Sequence, residues 1–151
     1  MVDRLEVLDG PTPFIAFIHA HVIDLAHFES AQFLIQPKTK SATRPIKVRY
    51  ARSYLQARGY LDEQHSALTL PVFGLYAGRA NHVTINFGFS VGFRENTRLD
   101  IVIETPSYDG GTYSNPTLIQ PRLAGTNLSY DFILLKNYAD PTTPIIIDTD
   151  A

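Results

Sequence analysis

Cysteine is absent from the 151 residues, which removes disulfides, thiolate zinc sites and cysteine nucleophiles together. The compartment stays open, because a chain of this length buries roughly 68–70% of the surface its unfolded form exposes and needs no covalent staple. Helical patterning is scarce as well. Ten prolines and nine glycines punctuate the chain, and no window keeps apolar residues at i, i+3, i+4 and i+7 for three turns. No run of about twenty apolar residues occurs. The opening Met-Val-Asp-Arg-Leu-Glu-Val-Leu-Asp-Gly mixes acids with apolar residues. It lacks a cationic stretch before an apolar core, so any export signal is expected to have been removed or never to have existed. A GxSxG elbow, a phosphate-cradling glycine loop and HExxH are all missing.

Net charge is small: thirteen cations against fifteen anions give −2, which argues against a general nucleic-acid binder. The distribution is uneven. From Ser30 to Leu61 there is no acid, yet the segment holds Lys38, Lys40, Arg44, Lys47, Arg49, Arg52 and Arg58, seven of the thirteen cations.

What is present reads as strands. Phe14 to Leu25 and Ser30 to Gln36 are apolar and bounded by proline, and Ile46, Val48 and Tyr50 alternate with Lys47, Arg49 and Ala51. The clearest strand sets Val83, Ile85, Phe87, Phe89, Val91 and Phe93 against His82, Thr84, Asn86, Gly88, Ser90 and Gly92. Arg94-Glu95-Asn96-Thr97 then leads into Leu99, Ile101 and Ile103, which predicts a long antiparallel hairpin with a loop of roughly four residues. Gly88 and Gly92 would admit a bulge. Further strands are expected near Leu118, over Tyr130 to Leu135, and in the run "IIIDTDA"; only Ser53 to Gly59 suits a helical turn. Short strands without intervening helices predict an all-β fold, an antiparallel immunoglobulin-like β-sandwich of about seven strands.

Candidate sites are few. His19 and His21 would share a strand face, but only Asp24 and His27 lie nearby, and the spacings match no familiar zinc pattern, so no metal site is expected. Asp62-Glu63, and Asp148 with Asp150, read as solvated carboxylates rather than an acid/base pair. Lys38, Lys40, Arg44, Lys47 and Arg49 form a candidate anionic-ligand or partner face, against the plainer reading of a solvated strand face plus a basic loop. One block breaks alternation: Val72, Phe73, Leu75 and Tyr76 place apolar side chains on both faces within five residues, which predicts a segment buried on two sides. Gly74 and Gly78 would permit close approach or positive φ.

The pieces "LPVFGLYAGRANHVTI", "FLIQPKTKSATRPIKVRYARSYLQARGY" and "TPIIIDTDA" occur in the order in which similar pieces stand in bacterial arylsulfotransferases. From about Phe14 onward the chain resembles the N-terminal β-sandwich of that family. The resemblance implies a non-catalytic domain at residues 14–140, preceded by a segment at 1–13 and followed at 141–151 by a linker and the first strand toward a catalytic β-propeller. In the family the propeller's histidine carries a sulfuryl group from a phenyl sulfate to a phenol; no catalytic role passes to His19, His21, His27, His65 or His82. Phe73, Leu75, Tyr76, Ile145 and Ile147 would then meet the neighbouring domain. The family implies a periplasmic or otherwise exported location and, as partners, the catalytic domain of the parent chain and a second copy; no cofactor is expected, and the charge balance and the lack of a long apolar run argue for no nucleic acid and no membrane insertion. The 151 residues alone would be inactive. A second expectation is a free-standing β-sandwich binding or adhesion module that uses the basic segment 38–58.

Overall fold

The computed structural model describes residues 2–90, 92, 97–108, 117, 119–120, 123, 128–135 and 144–149. Alternating apolar residues build strands β1 (Val2–Asp9), β2 (Ile15–Val22), β3 (Phe28–Ile35), β4 (Ile46–Ala51), β5 (Leu61–Asp62), β6 (Ala67–Phe73), β7 (Ala80–Phe89), β8 (Thr97–Glu104), β9 (Phe132–Leu135) and β10 (Ile145–Asp148). One short helix, α1 (Arg52–Ala57), and a single 3-10 turn at Leu25–His27 complete the described elements. The fold is all-β, and every pairing is antiparallel.

The first eight strands form four sequential hairpins that alternate between two sheets, ordered β1-β2-β6-β5 and β4-β3-β7-β8. The central strands β2, β6, β3 and β7 turn Ile18, Leu68, Leu70, Val72, Phe33, Ile35, Ile85 and Phe87 into one shared core, each fully buried. Leu55 of α1 closes one end, also fully buried. β9 and β10 make a separate two-stranded ribbon.

Ten strands among the described residues replace the expected seven or so. The additions had weak signals. β1, set apart by its sequence as an N-terminal segment, is an edge strand in which only Val2 and Leu5 pack on the core, and β5 is two residues long. The β7–β8 hairpin forms, but Phe87 pairs with Thr97, so its connection spans 88–96 instead of four residues. The extra residue of the β3–β7 pairing lies at Glu29, between Phe28 and Ser30, rather than on the glycines. The strand expected near Leu118, and the Val91 and Phe93 end of the long strand, lie outside the described residues.

Two-sided burial is not what breaks alternation after Val72. β6 ends at Phe73, which is 41% exposed and sets its ring T-shaped against Phe33, centroids 5.6 Å apart. Gly74 then adopts φ +85, with Ile46 Cδ1 only 2.9 Å from where a Cβ would stand. This turn sends Leu75 back into the core, and the chain crosses to β7. Asn81, 1% exposed, holds the crossing. Its Oδ1 accepts from the Tyr76 N–H at 2.8 Å, and its amide nitrogen lies 3.0 Å from Tyr76 O, 3.2 Å from Arg79 O and 3.3 Å from Ile103 O. Thr105 Oγ1 donates to Tyr76 O at 2.5 Å. Buried peptide groups in a loop need such partners.

Beyond β5, the outer edge of β6 is open, and Pro71, which has no N–H, suits that position. Its carbonyl accepts from Tyr50 Oη at 2.9 Å. Burial first, and Tyr54 and Tyr60 second, push the Tyr50 phenol up to about 12. The folded form thus favours the neutral phenol. Its contribution is complete below pH 10, the ordinary value, and disappears as pH rises toward 12. Tyr50→Phe should flatten the fall of denaturation free energy across that window; an unchanged slope would remove Tyr50 as its cause. Asn81→Ala should lower stability by about 3 kcal/mol by urea unfolding, and a loss under about 0.5 kcal/mol would show that the crossing does not depend on this carboxamide.

Candidate functional site

Three surfaces carry the polar groups: the loop between β3 and β4, the outer face of the second sheet, and the outer face of the first. The loop holds Lys38, Lys40 and Arg44. Lys38 Nζ lies 2.8 Å from Asp148 Oδ2, and the Arg44 guanidinium pairs with Asp131. Both carboxylates are buried, with 2% and 4% of their side chains exposed. Lys38 also sits 5.9 Å from the Tyr76 ring centroid, and Arg79 lies 5.8 Å from it. The loop is therefore where the β9–β10 ribbon is fastened. Thr149 N–H closes the ribbon on Asp131 O at 2.9 Å.

This placement revises two sequence expectations. Asp148 is not a solvated carboxylate but a buried ion-pair partner, and two of the five cations of the proposed anion face are occupied by acids from the far end of the chain. Arg52 follows the same rule, pairing with Glu63 at 2.6 Å. Three of the segment's seven cations thus take their counter-charges from other elements. Among the described residues, Lys40, Lys47 and Arg49 make no ion pair; Arg49 donates to Ser30 Oγ at 3.1 Å.

On the outer face of the second sheet, cross-strand register sets Arg49, Gln32, Asn86 and Arg98 in one row, and Lys47, Leu34, Thr84 and Asp100 in the next. Thr84 donates to Asp100 at 2.5 Å, and Arg98 does so at 3.2 Å. These bonds, Thr84's first, hold the Asp100 carboxyl below the usual range. A hollow of about 320 Å³ is lined by Gln36, His82, Thr84, Arg98, Asp100 and Val102. Gln36 and His82 also line a second hollow of about 280 Å³ with Thr39 and Arg79. Strand alternation contained the signal for these rows, but register was needed to assemble them.

The first sheet's outer face pairs its histidines internally. His19 Nδ1 lies 3.2 Å from Thr69 Oγ1, and His21 Nδ1 lies 2.6 Å from Asp3 Oδ1. His65 bonds Asp62 through its ring and its backbone N–H, and the ring bond is the larger cause that holds this exposed carboxyl below the usual range. His82 stands apart on the other sheet, and His27 Nδ1 is 3.4 Å from Ser90 Oγ. Among the described residues no three His, Asp or Glu side chains are arranged to hold a metal ion, and no helix is long and apolar enough to cross a membrane.

The residues expected at a domain contact separate into two places. Leu75 is core and Tyr76 is half-buried between Lys38 and Arg79, while Phe73 is exposed at the β6 edge. Ile145 and Ile147 lie half-buried on β10. Their neighbours Ile146 and Leu134, directly opposite each other in the ribbon, are 61% and 66% exposed.

No protein-family model matches the chain, and no curated protein matches it.

A two-stranded ribbon is marginal by itself, and the Lys38–Asp148 and Arg44–Asp131 ion pairs tie it to the β3–β4 loop. Removing a cation leaves a buried carboxylate uncompensated. Lys38→Ala with Arg44→Ala should expose residues 132–135 and 145–148 to amide exchange at least tenfold faster while leaving β7 protected. Unchanged protection of the ribbon would show that other contacts fasten it.

Proposed function

We propose that the chain is a non-catalytic supporting domain, the N-terminal β-sandwich of an arylsulfotransferase, which holds a catalytic domain that moves a sulfuryl group from phenyl sulfate esters to phenols. The observation that carries this reading is the ribbon. Its proximal end is fastened by buried Asp131 and Asp148, and its other end presents Leu134 and Ile146 to solvent. A fixed strand pair with an open apolar face is suited to seat a neighbouring domain at a defined angle. The motif order described above supplies the family, and an exported, periplasmic setting and a homodimer belong to the same proposal.

The β-sandwich framework fits this role. Its β6–β7 crossing is tied by Asn81 and Thr105, and His19, His21 and His65 are engaged by Thr69, Asp3 and Asp62. The competing reading, a basic loop that binds anions, is weakened at Lys38 and Arg44 because both are engaged by buried acids.

The test joins a mass with an assay. The endogenous polypeptide, weighed by mass spectrometry, should be several hundred residues longer than this chain, with repeating strand patterns. That longer protein should release phenol from an aryl sulfate only when a phenolic acceptor is present, whereas residues 1–151 alone should show no transfer. An endogenous polypeptide ending at Ala151, or a longer one without sulfuryl transfer, would defeat the proposal.

A further inference from the structure

The outer face of the second sheet is not used by the ribbon or by the core. Its groups differ in kind from those across the sandwich. On the first sheet His19, His21 and His65 are satisfied by Thr69, Asp3 and Asp62. On the second, Gln32 and Asn86 stand opposite each other on the two central strands, half-buried. Among the described residues their side-chain amides have no hydrogen-bond partner. Arg49 and Arg98 flank them in the same row.

The row crosses four strands, about 14 Å at the usual spacing of roughly 4.8 Å. Beside it lies the hollow of about 320 Å³, whose polar lining is Gln36, His82, Thr84, Arg98 and Asp100. Almost all of these groups are planar: amide, imidazole, guanidinium or carboxylate. The amide, guanidinium and carboxylate groups each offer two hydrogen-bonding atoms side by side, so each can engage a pair of adjacent hydroxyls, and the imidazole adds a single directed contact. Val102, 52% exposed and directly opposite His82, gives an apolar spot for the C–H face of a sugar ring. Apart from Gln36, which follows the end of β3, the groups stand on central and edge strands of a packed sheet, which fixes their spacing better than loops would.

Charge refines the ligand class. Asp100 is matched by Arg98 and Thr84, while Lys47 and Arg49 have no acid partner among the described residues. Glu104 stands on the same face beyond Val102, so three cations, Lys47, Arg49 and Arg98, face two acids, Asp100 and Glu104, and the surplus is one positive charge. We infer that the outer face of the β4-β3-β7-β8 sheet binds an acidic oligosaccharide, its hydroxyls taken by Gln36, His82, Asn86, Arg98 and Asp100 and its acid groups by Lys47 and Arg49. Neither a bare polyanion nor a neutral glycan uses both sets of groups. The inference is independent of the sulfuryl-transfer reading.

The experiment titrates the isotope-labelled full chain with oligogalacturonate, a neutral galactose oligomer of equal length, and linear polyphosphate of equal charge, following backbone amide shifts. Oligogalacturonate should shift amides of Gln32, His82, Asn86 and Arg98, with affinity falling about threefold on doubling the salt. Asn86→Ala should weaken it at least fivefold. Lys47→Glu with Arg49→Glu should weaken it at least tenfold and leave the weaker neutral oligomer unchanged. Thermal melts of each variant check folding, and Thr84→Val serves if Asn86→Ala does not fold. Absence of shifts on this face, polyphosphate binding as tightly as oligogalacturonate, or equal affinity for the neutral oligomer would each overturn the inference.

Discussion

The carboxamide of Asn81 sits where the chain leaves one sheet and enters the other, bonded on one side to Tyr76 and on the other facing the carbonyls of Arg79 and Ile103. A sandwich of alternating hairpins must cross between sheets repeatedly, and each crossing exposes peptide groups that no sheet ladder satisfies. The β6–β7 crossing, like the β2–β3 one, joins two central strands of opposite sheets. Gly74 turns the backbone through positive φ, Leu75 anchors it, and Asn81 with Thr105 satisfies the polar groups left over. The same loop places Tyr76 between Lys38 and Arg79, so the ribbon dock inherits its geometry from this crossing.

From that dock follows the use of charge. A buried carboxylate is costly unless a cation and hydrogen bonds meet it. Asp131 and Asp148 are met by Arg44 and Lys38, cations distant in sequence, and this fixes a ribbon whose short strands could not hold themselves. Arg52 bridges the Leu25 and Phe28 carbonyls and Glu63, tying the start of α1 to the β2–β3 turn. Three cations of the acid-free segment thus act as fasteners between elements. Among the described residues the other four, Lys40, Lys47, Arg49 and Arg58, make no ion pair, and Arg58 lies 5.6 Å from the Tyr54 ring centroid.

Much of the sandwich was legible in the chain. β7 and β8 alternate so regularly that pairing and inward residues could be written down from Val83, Ile85, Phe87, Leu99, Ile101 and Ile103. β4 and α1 fell within a residue or two of expectation. The misses share one cause, which is that burial and pairing partners are non-local. β1 is polar enough to pass for a tail because it packs on one side of an edge. Phe73 reads as core although it stands at the end of β6. Asp148 reads as a solvated terminal acid, since its cation lies 110 residues away. The rows on the second sheet mix amides and cations whose alignment depends on register, and a one-residue slip would scatter them.

The two outer faces show what the sandwich leaves free once its own requirements are met. In antiparallel sheets one face is packed and the other is solvated, so outward residues are unconstrained by the core. On the first sheet that freedom goes to local acid–histidine pairs and to Phe17 packed near Tyr60, centroids 6.4 Å apart. On the second, Arg49 and Arg98 bond Ser30 and Asp100, while among the described residues the amides of Gln32 and Asn86 and the ammonium of Lys47 have no side-chain partner. Because hydrogen-bonding groups at the centre of a sheet stand at fixed spacing whether or not they are paired, leaving them open costs little folding stability while keeping them aligned for a ligand. The packed core and the tied crossing make that alignment possible: a sheet able to slide in register would offer no fixed row.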